Sequence, residues 1–282
     1  MTQAQPSVLL LIPAYNEENR IEPVLLEYAE YFQKNYSGKF QLTVVLNGCR
    51  DNTIGVVRRM EKKFPDTVNH LEFAAPIGKG GALIEGLKLA PLADLIGYVD
   101  ADGATGPQAF HDLVKLHDKA DCIIGSRWLP GAILHQSQSG RRQFASRVFH
   151  GVVEACFGMH IRDTQCGAKV IHRKAVEKIH SSLQIADMAF DINLLYALKR
   201  AGFTILEVPT EWTDKIGSKV ALGKTSLTML LSVVRLRVFY WPILYKLLRP
   251  LSPLEGWLYK KLSAPKPRSA PRPEKPAVQS RN

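Results

Sequence analysis

The chain has 282 residues, 46% of them hydrophobic, enough for one sizeable core. Its four cysteines, Cys49, Cys122, Cys156 and Cys166, form no Cys-x-x-Cys pair and no framework spacing, which excludes a disulfide scaffold and points to reduced thiols. The net charge of +11 sits at one end: residues 215–282 hold 14 Lys/Arg against Glu255 and Glu274, so the preceding portion is near neutral and the basic end calls for an anionic surface.

The first half alternates strand-like and helix-like segments, the pattern of a mostly parallel α/β sheet with crossover helices. Strands are expected at 7–12, 41–47, 69–74, 95–100 and 121–125, with helices near 20–34, 52–63, 80–90 and 107–118. No basic segment precedes Val8–Ile12, so that run reads as a first strand rather than a secretion signal. Pro13-Ala14-Tyr15-Asn16-Glu17-Glu18 follows it, a turn able to hold a base or ribose at the carboxyl edge of the sheet. Its glutamates equally suit the N-terminus of the next helix. Asn47-Gly48-Cys49-Arg50-Asp51 ends the second strand, where Asp51 or Asn52 suits a helix cap. Gly78-Lys79-Gly80-Gly81 opens a helix whose first N–H groups suit an anion, without the spacing of a Walker loop or a dinucleotide fingerprint.

The most informative feature is Asp100-Ala101-Asp102, delivered by the apolar run Leu95–Val99. Side chains at i and i+2 share one face of a strand, so both carboxylates can serve one hard cation, Mg2+ or Mn2+, carrying substrate phosphates. Gly106-Pro107 then starts a helix. Gly125-Ser126-Arg127 brings a cation to the same edge, and Arg141, Arg142 and Arg147 add positive charge. Asp163-Thr164-Gln165-Cys166-Gly167 and Ala189-Phe190-Asp191 are polar groups between apolar segments, as a pocket wall requires; Asp163 pairing with an arginine and Asp191 capping a helix are the simpler readings. Phe190 to Ala201 reads as an amphipathic helix ended by Gly202, and 204–208 as a late strand. Gly217-Ser218-Lys219 is a small basic loop suited to closing over a diphosphate.

From about 225 the character changes. The longest uncharged stretches there, Thr225–Val234 and Val238–Tyr245, are ten and eight residues, against roughly 20 needed to span a bilayer. Aromatics mixed with Arg and Lys (Trp241, Tyr245, Trp257, Tyr259, Lys260, Lys261) fit helices lying in the headgroup region, with packing on the core as the alternative. Residues 263–282 form a Pro-rich basic tail with the composition of disorder and no base-stacking aromatic motif, so no nucleic-acid partner is expected.

In this order the strings Ile12–Glu18, Gly78–Ala82, Asp100–Thr105, Gly125–Arg127, Asp163–Gly167, Ala189–Asp191 and Gly217–Lys219 resemble a family 2 glycosyltransferase of the GT-A fold, and within it the dolichyl-phosphate β-glucosyltransferases. Three segments are expected: 1–224 as the GT-A domain that the resemblance covers, and, from the change of composition, 225–262 as amphipathic, membrane-associating helices and 263–282 as the tail. The resemblance implies an inverting transfer of a hexose, glucose in the first instance, from a nucleotide-diphosphate sugar (UDP-glucose favoured) to a polyprenyl phosphate. The place would be the cytoplasmic face of the membrane, peripherally attached. By the same resemblance Pro13, Ala14, Tyr15, Glu17, Asn47, Gly78, Lys79, Asp100, Ala101 and Lys219 bind the nucleotide sugar, Asp100 and Asp102 hold the metal, and Arg127, Arg141 and Arg142 grip the acceptor phosphate. Asp102, Asp163 and Asp191 are the catalytic candidates, the last two as bases should the acceptor be a hydroxyl. Leu46-Asn47-Gly48-Cys49 stands where the family usually has Asp-Asp-Gly-Ser, replacing a base-reading carboxylate with an amide.

Overall fold

The computed structural model describes residues 5–135, 140–213 and 222–241, with only the backbone described for 140–146, 148 and 222–228. The order is β1 (Val8–Ala14), α1 (Ile21–Asn35), β2 (Phe40–Asn47), α2 (Thr53–Lys63), β3 (Val68–Phe73), α3 (Lys79–Gly86), β4 (Leu95–Tyr98), α4 (Pro107–Lys115) and β5 (Cys122–Ser126). Then come β6 (Ile133–Leu134), α5 (Gly140–Phe157), β7 (Lys169–His172), α6 (Arg173–Ile179), α7 (Phe190–Arg200), β8 (Ile205–Pro209), β9 (Glu211–Trp212) and α8 (Leu222–Phe239).

Seven strands form one sheet in the order β3-β2-β1-β4-β7-β5-β8, and β6 pairs with β9 in a separate ribbon. Every pairing in the large sheet is parallel except those of β7, which runs against both β4 and β5. The expected strands are all present. The expected helices are present too, but that of 80–90 ends at Gly86 and passes into a 3-10 turn over Leu87–Leu92, because Pro91 cannot donate to a continuing α-helix.

Period-2 alternation divides the core. Val8, Leu10 and Ile12 of β1 face a layer containing α1, α2 and α4, while Leu9 and Leu11 face α3, α6 and α7. Helix α1 meets the sheet through Ile21, Val24, Leu25, Tyr28, Ala29 and Phe32, a stripe at helical spacing. Phe32 stacks on Phe40 at 3.8 Å between centroids. Burying a side chain of this size contributes about 1.5–3 kcal/mol. Because β1, β2, β4 and β5 all run in one direction, their carboxyl ends open on one edge of the sheet.

The boundary expected at 225 falls inside α8. Ser232, Val233 and Leu236 are buried against the core, and the Ser232 hydroxyl donates to Asp187. Leu230, Val234, Phe239 and Trp241 are exposed on the same helix and its end. Among the described residues no helix is long and apolar enough to cross a membrane. The tail 263–282 lies outside the described residues.

Candidate active site

The strand ends assemble the site from both halves of the chain. Val99 continues β4 far enough to donate its N–H to Leu11 (3.1 Å), and the chain then turns, leaving Asp100 and Asp102 half-buried at the crevice. Asp102 Oδ1 accepts the Ala104 N–H at 3.0 Å, which fixes the carboxylate. Burial, and then the neighbouring Asp100 charge, push its pKa above the ordinary aspartate range. Two carboxylates held in mutual repulsion are a donor set that a divalent cation relieves. Among the described residues no cluster of three or more His, Cys, Asp or Glu could hold a metal alone, so the remaining ligands would be water and substrate oxygens, the usual arrangement for Mg2+.

Behind these carboxylates charges alternate in sign toward the core. Lys79, at the first turn of α3, places Nζ 2.5 Å from Asp100 Oδ1. Burial opposes the Lys79 ammonium, but Asp100, Asp191 and Asp102 outweigh it and hold its pKa above the ordinary lysine value. Asp191, in the first turn of α7, accepts from Lys169 Nζ and from the Tyr98 hydroxyl, each at 2.5 Å. Lys169 is fully buried and also donates to the Cys166 carbonyl at 2.6 Å. Burial works against the Asp191 charge, yet Lys169, Lys79 and these hydrogen bonds keep its pKa below the ordinary range. The order outward is therefore Lys169, Asp191, Lys79, Asp100.

Gly167 is required by this packing. A Cβ there would collide with the Asp100 carboxylate, its Cγ lying 2.8 Å away. Gly167→Ala should therefore turn Asp100 out of place; a fall of about tenfold or more in kcat/KM is expected, read beside an unfolding curve that moves little.

The acceptor-side pieces are also engaged. Arg127 forms a bidentate pair with Asp163 (Nε–Oδ2 2.8 Å, NH2–Oδ1 2.9 Å), and its backbone N–H reaches Oδ2 at 3.0 Å. Its guanidinium lies 4.9 Å from the Trp212 ring. Gln165 Nε2, Trp212 Nε1 and the Thr105 and Thr210 hydroxyls are buried and find no hydrogen-bond partner among the described residues, polar atoms suited to a hydroxyl-rich ligand. Burial pushes the Cys122 and Cys166 thiols up to about 12, so neither supplies a thiolate.

At the front, Glu17 is tied to Arg20 (2.8 and 2.9 Å), and its N–H donates to Thr53. Asn16 adopts φ 57° and accepts the Arg50 N–H at 2.8 Å, and the Tyr15 side chain before it is exposed. Asn47 is buried and accepts the Ile77 N–H at 2.7 Å, so it braces the loop before α3; Gly48 follows at φ 64°, where a Cβ would meet Pro76. Pro13, Ala14, Gly78 and Ala101 fall at the same edge as strand-end or helix-start backbone. Arg141 and Arg142 lie in the first turn of α5, where side chains are not described, and Lys219 lies outside the described residues. Sequence reading missed Lys169 and Tyr98; the available signal was a lysine embedded in the apolar run Ala168–Ile171.

Residues 9–180 match glycosyl transferase family 2. The chain belongs to that family. It is 32% identical over 243 residues to the dolichyl-phosphate beta-glucosyltransferase of Dictyostelium discoideum, covering 82% of this chain and 74% of the relative, and 34% identical over 230 residues to that of Drosophila melanogaster (75% and 68%). It is 30% identical over 239 residues to glycosyltransferase AglD of Haloferax volcanii, of whose length it spans only 37% while 83% of this chain is matched. Among solved structures it resembles glucosyl-3-phosphoglycerate synthase of Mycobacterium tuberculosis in complex with Mn2+, UDP and glucosyl-3-phosphoglycerate, with a TM-score of 0.62, 18% identity, and coverage of 82% of this chain and 80% of that one. The family 2 member described here therefore has the GT-A fold its motifs led one to expect, and it is a glycosyltransferase.

Proposed function

We propose that this family 2 glycosyltransferase moves a hexose, glucose in the first instance, from a nucleotide-diphosphate sugar to a polyprenyl phosphate at the membrane surface. The activity named for the relatives, dolichyl-phosphate glucosyl transfer, supports the acceptor class, and the UDP and Mn2+ bound by the structural neighbour support UDP-glucose and a divalent ion.

The observation that carries the acceptor choice is the state of the two spare carboxylates. Asp163 is neutralised by bidentate Arg127, and Asp191 by Lys169, Lys79 and Tyr98, so neither is poised to take a proton from a hydroxyl. A phosphate monoester is already largely dianionic near pH 7, its second pKa being about 6, and needs no base. In this reading Asp163 and Asp191 position the walls of the site rather than shuttle protons. Arg127, held by Asp163, lies on the acceptor side of the site, and Arg141, Arg142 and Lys219 supply further positive charge to the sequence around it. The front turn from Pro13 to Glu17 and Asn47 hold the nucleoside, and Gly78, Lys79, Asp100 and Ala101 line the diphosphate.

An acceptor oxygen forms the new bond to the anomeric carbon as the bond to the diphosphate oxygen breaks, inverting the configuration and releasing the nucleoside diphosphate. Asp100 and Asp102 would hold a divalent ion, which would supply charge stabilisation for that leaving group. Lys79, kept charged by its carboxylate neighbours, adds a fixed dipole at the same place. Buried Gln165 and Trp212 donors offer hydrogen bonds to the sugar.

Leu230 and Val234, exposed on one side of α8, and the exposed Phe239 and Trp241 at its end, with Arg237 lying 5.0 Å from the Trp241 ring, support contact with lipid by lying on it. The basic residues beyond α8 add attraction to anionic headgroups. Four unpaired cysteines support a reducing compartment and hence the cytoplasmic face.

The test is a panel of labelled nucleotide sugars against short polyprenyl phosphates in detergent. Transfer of glucose from UDP-glucose to give an acid-labile sugar–phosphate–lipid is expected. An acid-stable product on a hydroxyl acceptor would replace this reading.

A further inference from the structure

Helix α8 is joined to the leaving-group end of the site by a buried polar contact that the mechanism above does not use. Its inner face places Ser232, Val233 and Leu236 in the core, and the Ser232 hydroxyl donates to one carboxylate oxygen of Asp187, itself buried. The other Asp187 oxygen accepts the Ala189 N–H at 2.8 Å. Asn193 of α7 holds the same stretch from its earlier end. Its Oδ1 accepts the N–H groups of Gln184 (2.7 Å) and Ile185 (3.1 Å), and its Nδ2 donates to the Ser182 carbonyl at 3.2 Å. The segment so held, 184–189, packs directly on the start of α3. The Ala186 carbonyl accepts the Gly81 N–H at 3.1 Å, and a Cβ on Gly80 would lie 2.5 Å from the Ile185 carbonyl oxygen. Lys79, one residue earlier, carries the ammonium that lies 2.5 Å from Asp100. Bonded and packed groups therefore connect α8, through Ser232, Asp187, Ala186 and Gly81, to the Lys79–Asp100 pair.

We propose that Asp187 is a positioning residue: anchored on α8 by Ser232, it sets where segment 184–189 presses on α3 and so where Lys79 meets Asp100. The inference rests on the transferase reading above. A buried carboxylate is costly unless its oxygens are hydrogen-bonded, and Asp187 spends one on the start of its own helix and the other on a hydroxyl 45 residues away. An apolar pair would fill the same space without fixing an orientation; two hydrogen bonds fix it. Gly80 and Gly81 bring the α3 backbone itself into contact with the segment, so a displacement there reaches Lys79 with no side chain between to absorb it. Removing the Ser232 hydroxyl releases Asp187 on the α8 side alone and leaves the Ala189 N–H capped.

The full-length protein is compared with Ser232→Ala, Asp187→Ala, Asp187→Asn and the double variant Ser232→Ala/Asp187→Ala. Hydrogen exchange of the Gly81 amide is followed by NMR with β1 amides as the internal reference, and transfer is assayed below the melting range of every variant. In Ser232→Ala the Gly81 amide should exchange faster while β1 is unmoved. Its kcat should fall by about tenfold, since a misplacement arising far from the chemistry can cost up to about 10²-fold, with the KM for polyprenyl phosphate unchanged. Asp187→Asn should keep most of the turnover, because its Oδ1 still accepts the Ala189 N–H and its amide can donate to the Ser232 hydroxyl. The double variant should be no slower than Asp187→Ala, as two changes that break one link do not add. Losses that add, a normal kcat in Ser232→Ala, or exchange that rises equally in β1 would overturn the proposal and leave the contact a matter of packing. If the wild-type protein transfers sugar to no acceptor yet Gly81 alone responds to Ser232→Ala, the transferase reading fails and the link from α8 to α3 stands.

Discussion

Asp102→Asn is expected to lower kcat/KM for sugar transfer by roughly 10³-fold while leaving thermal unfolding almost unmoved. The two halves of that result have separate physical origins. The amide keeps the side chain's shape and an oxygen for the Ala104 N–H, so the turn after β4 survives. Folding loses no net electrostatic stabilisation, because burial and the Asp100 charge outweigh the Ala104 N–H, Lys79 and Arg20 in their effect on the Asp102 carboxylate. Catalysis loses the charge that would anchor a cation under the leaving diphosphate, and a factor of 10³ corresponds to about 4 kcal/mol of barrier. Chelation of metal from the wild-type protein should reproduce the loss, and added Mn2+ or Mg2+ should reverse it in the wild type alone. Steady-state kinetics with a parallel melting curve decide the matter; near-normal turnover by the variant would remove Asp102 from the chemistry.

Lys169→Met should be the most destabilising single change near the site, at about 3–5 kcal/mol, because it leaves the buried Asp191 charge without its closest partner. For a chain of this size that corresponds to a drop in melting temperature of roughly 6–20 °C. Pairing it with Asp191→Leu should recover much of the loss, since apolar replacement of both members of a buried pair is often close to neutral. The sign with pH follows from the depressed Asp191 pKa. A carboxyl whose folded pKa lies below its unfolded value, about 3.9, stabilises the protein above that value and ceases to do so as pH falls below it. The wild type should therefore lose stability on acidification more steeply than the Lys169→Met/Asp191→Leu protein. Equal acid profiles, from urea melts at several pH values, would show that Asp191 titrates normally. Activity in the double variant should still be low, because Lys79 loses one of the charges that hold it against Asp100.

The front half of the fold was readable because its strands are continuous apolar runs and its helices carry long, regular stripes such as Ile21–Phe32. The edge carrying Asp100 and Asp102 followed from the same pattern, since a buried parallel strand must release its chain at the carboxyl end. Strand β7 did not show itself. It is four residues long and begins with a lysine, and a lysine inside an apolar run argues against burial unless its counter-ion is known. That counter-ion, Asp191, stands 22 residues later and is brought there only by the packing of α7. Asp163 and Arg127, 36 residues apart, were each legible as site candidates; their bidentate pairing depends on β5 and the segment before β7 meeting in space. The Ser232–Asp187 link was less accessible still, as its two members come from α8 and from the segment before α7.

The reversed direction of β7 has one more effect. Chain leaves the sheet at Ser126 and re-enters it at Lys169 on the same rim, so the intervening excursion is stapled at both ends to neighbouring strands. Lengthening a loop so closed carries an entropy penalty that grows only with the logarithm of its length. The rim from Ala14 to Asp102 is built from other strands and meets that excursion at Gly167, which packs against Asp100. Such a scaffold lets evolution exchange the recipient of the sugar while the end that grips the departing nucleotide stays as it is.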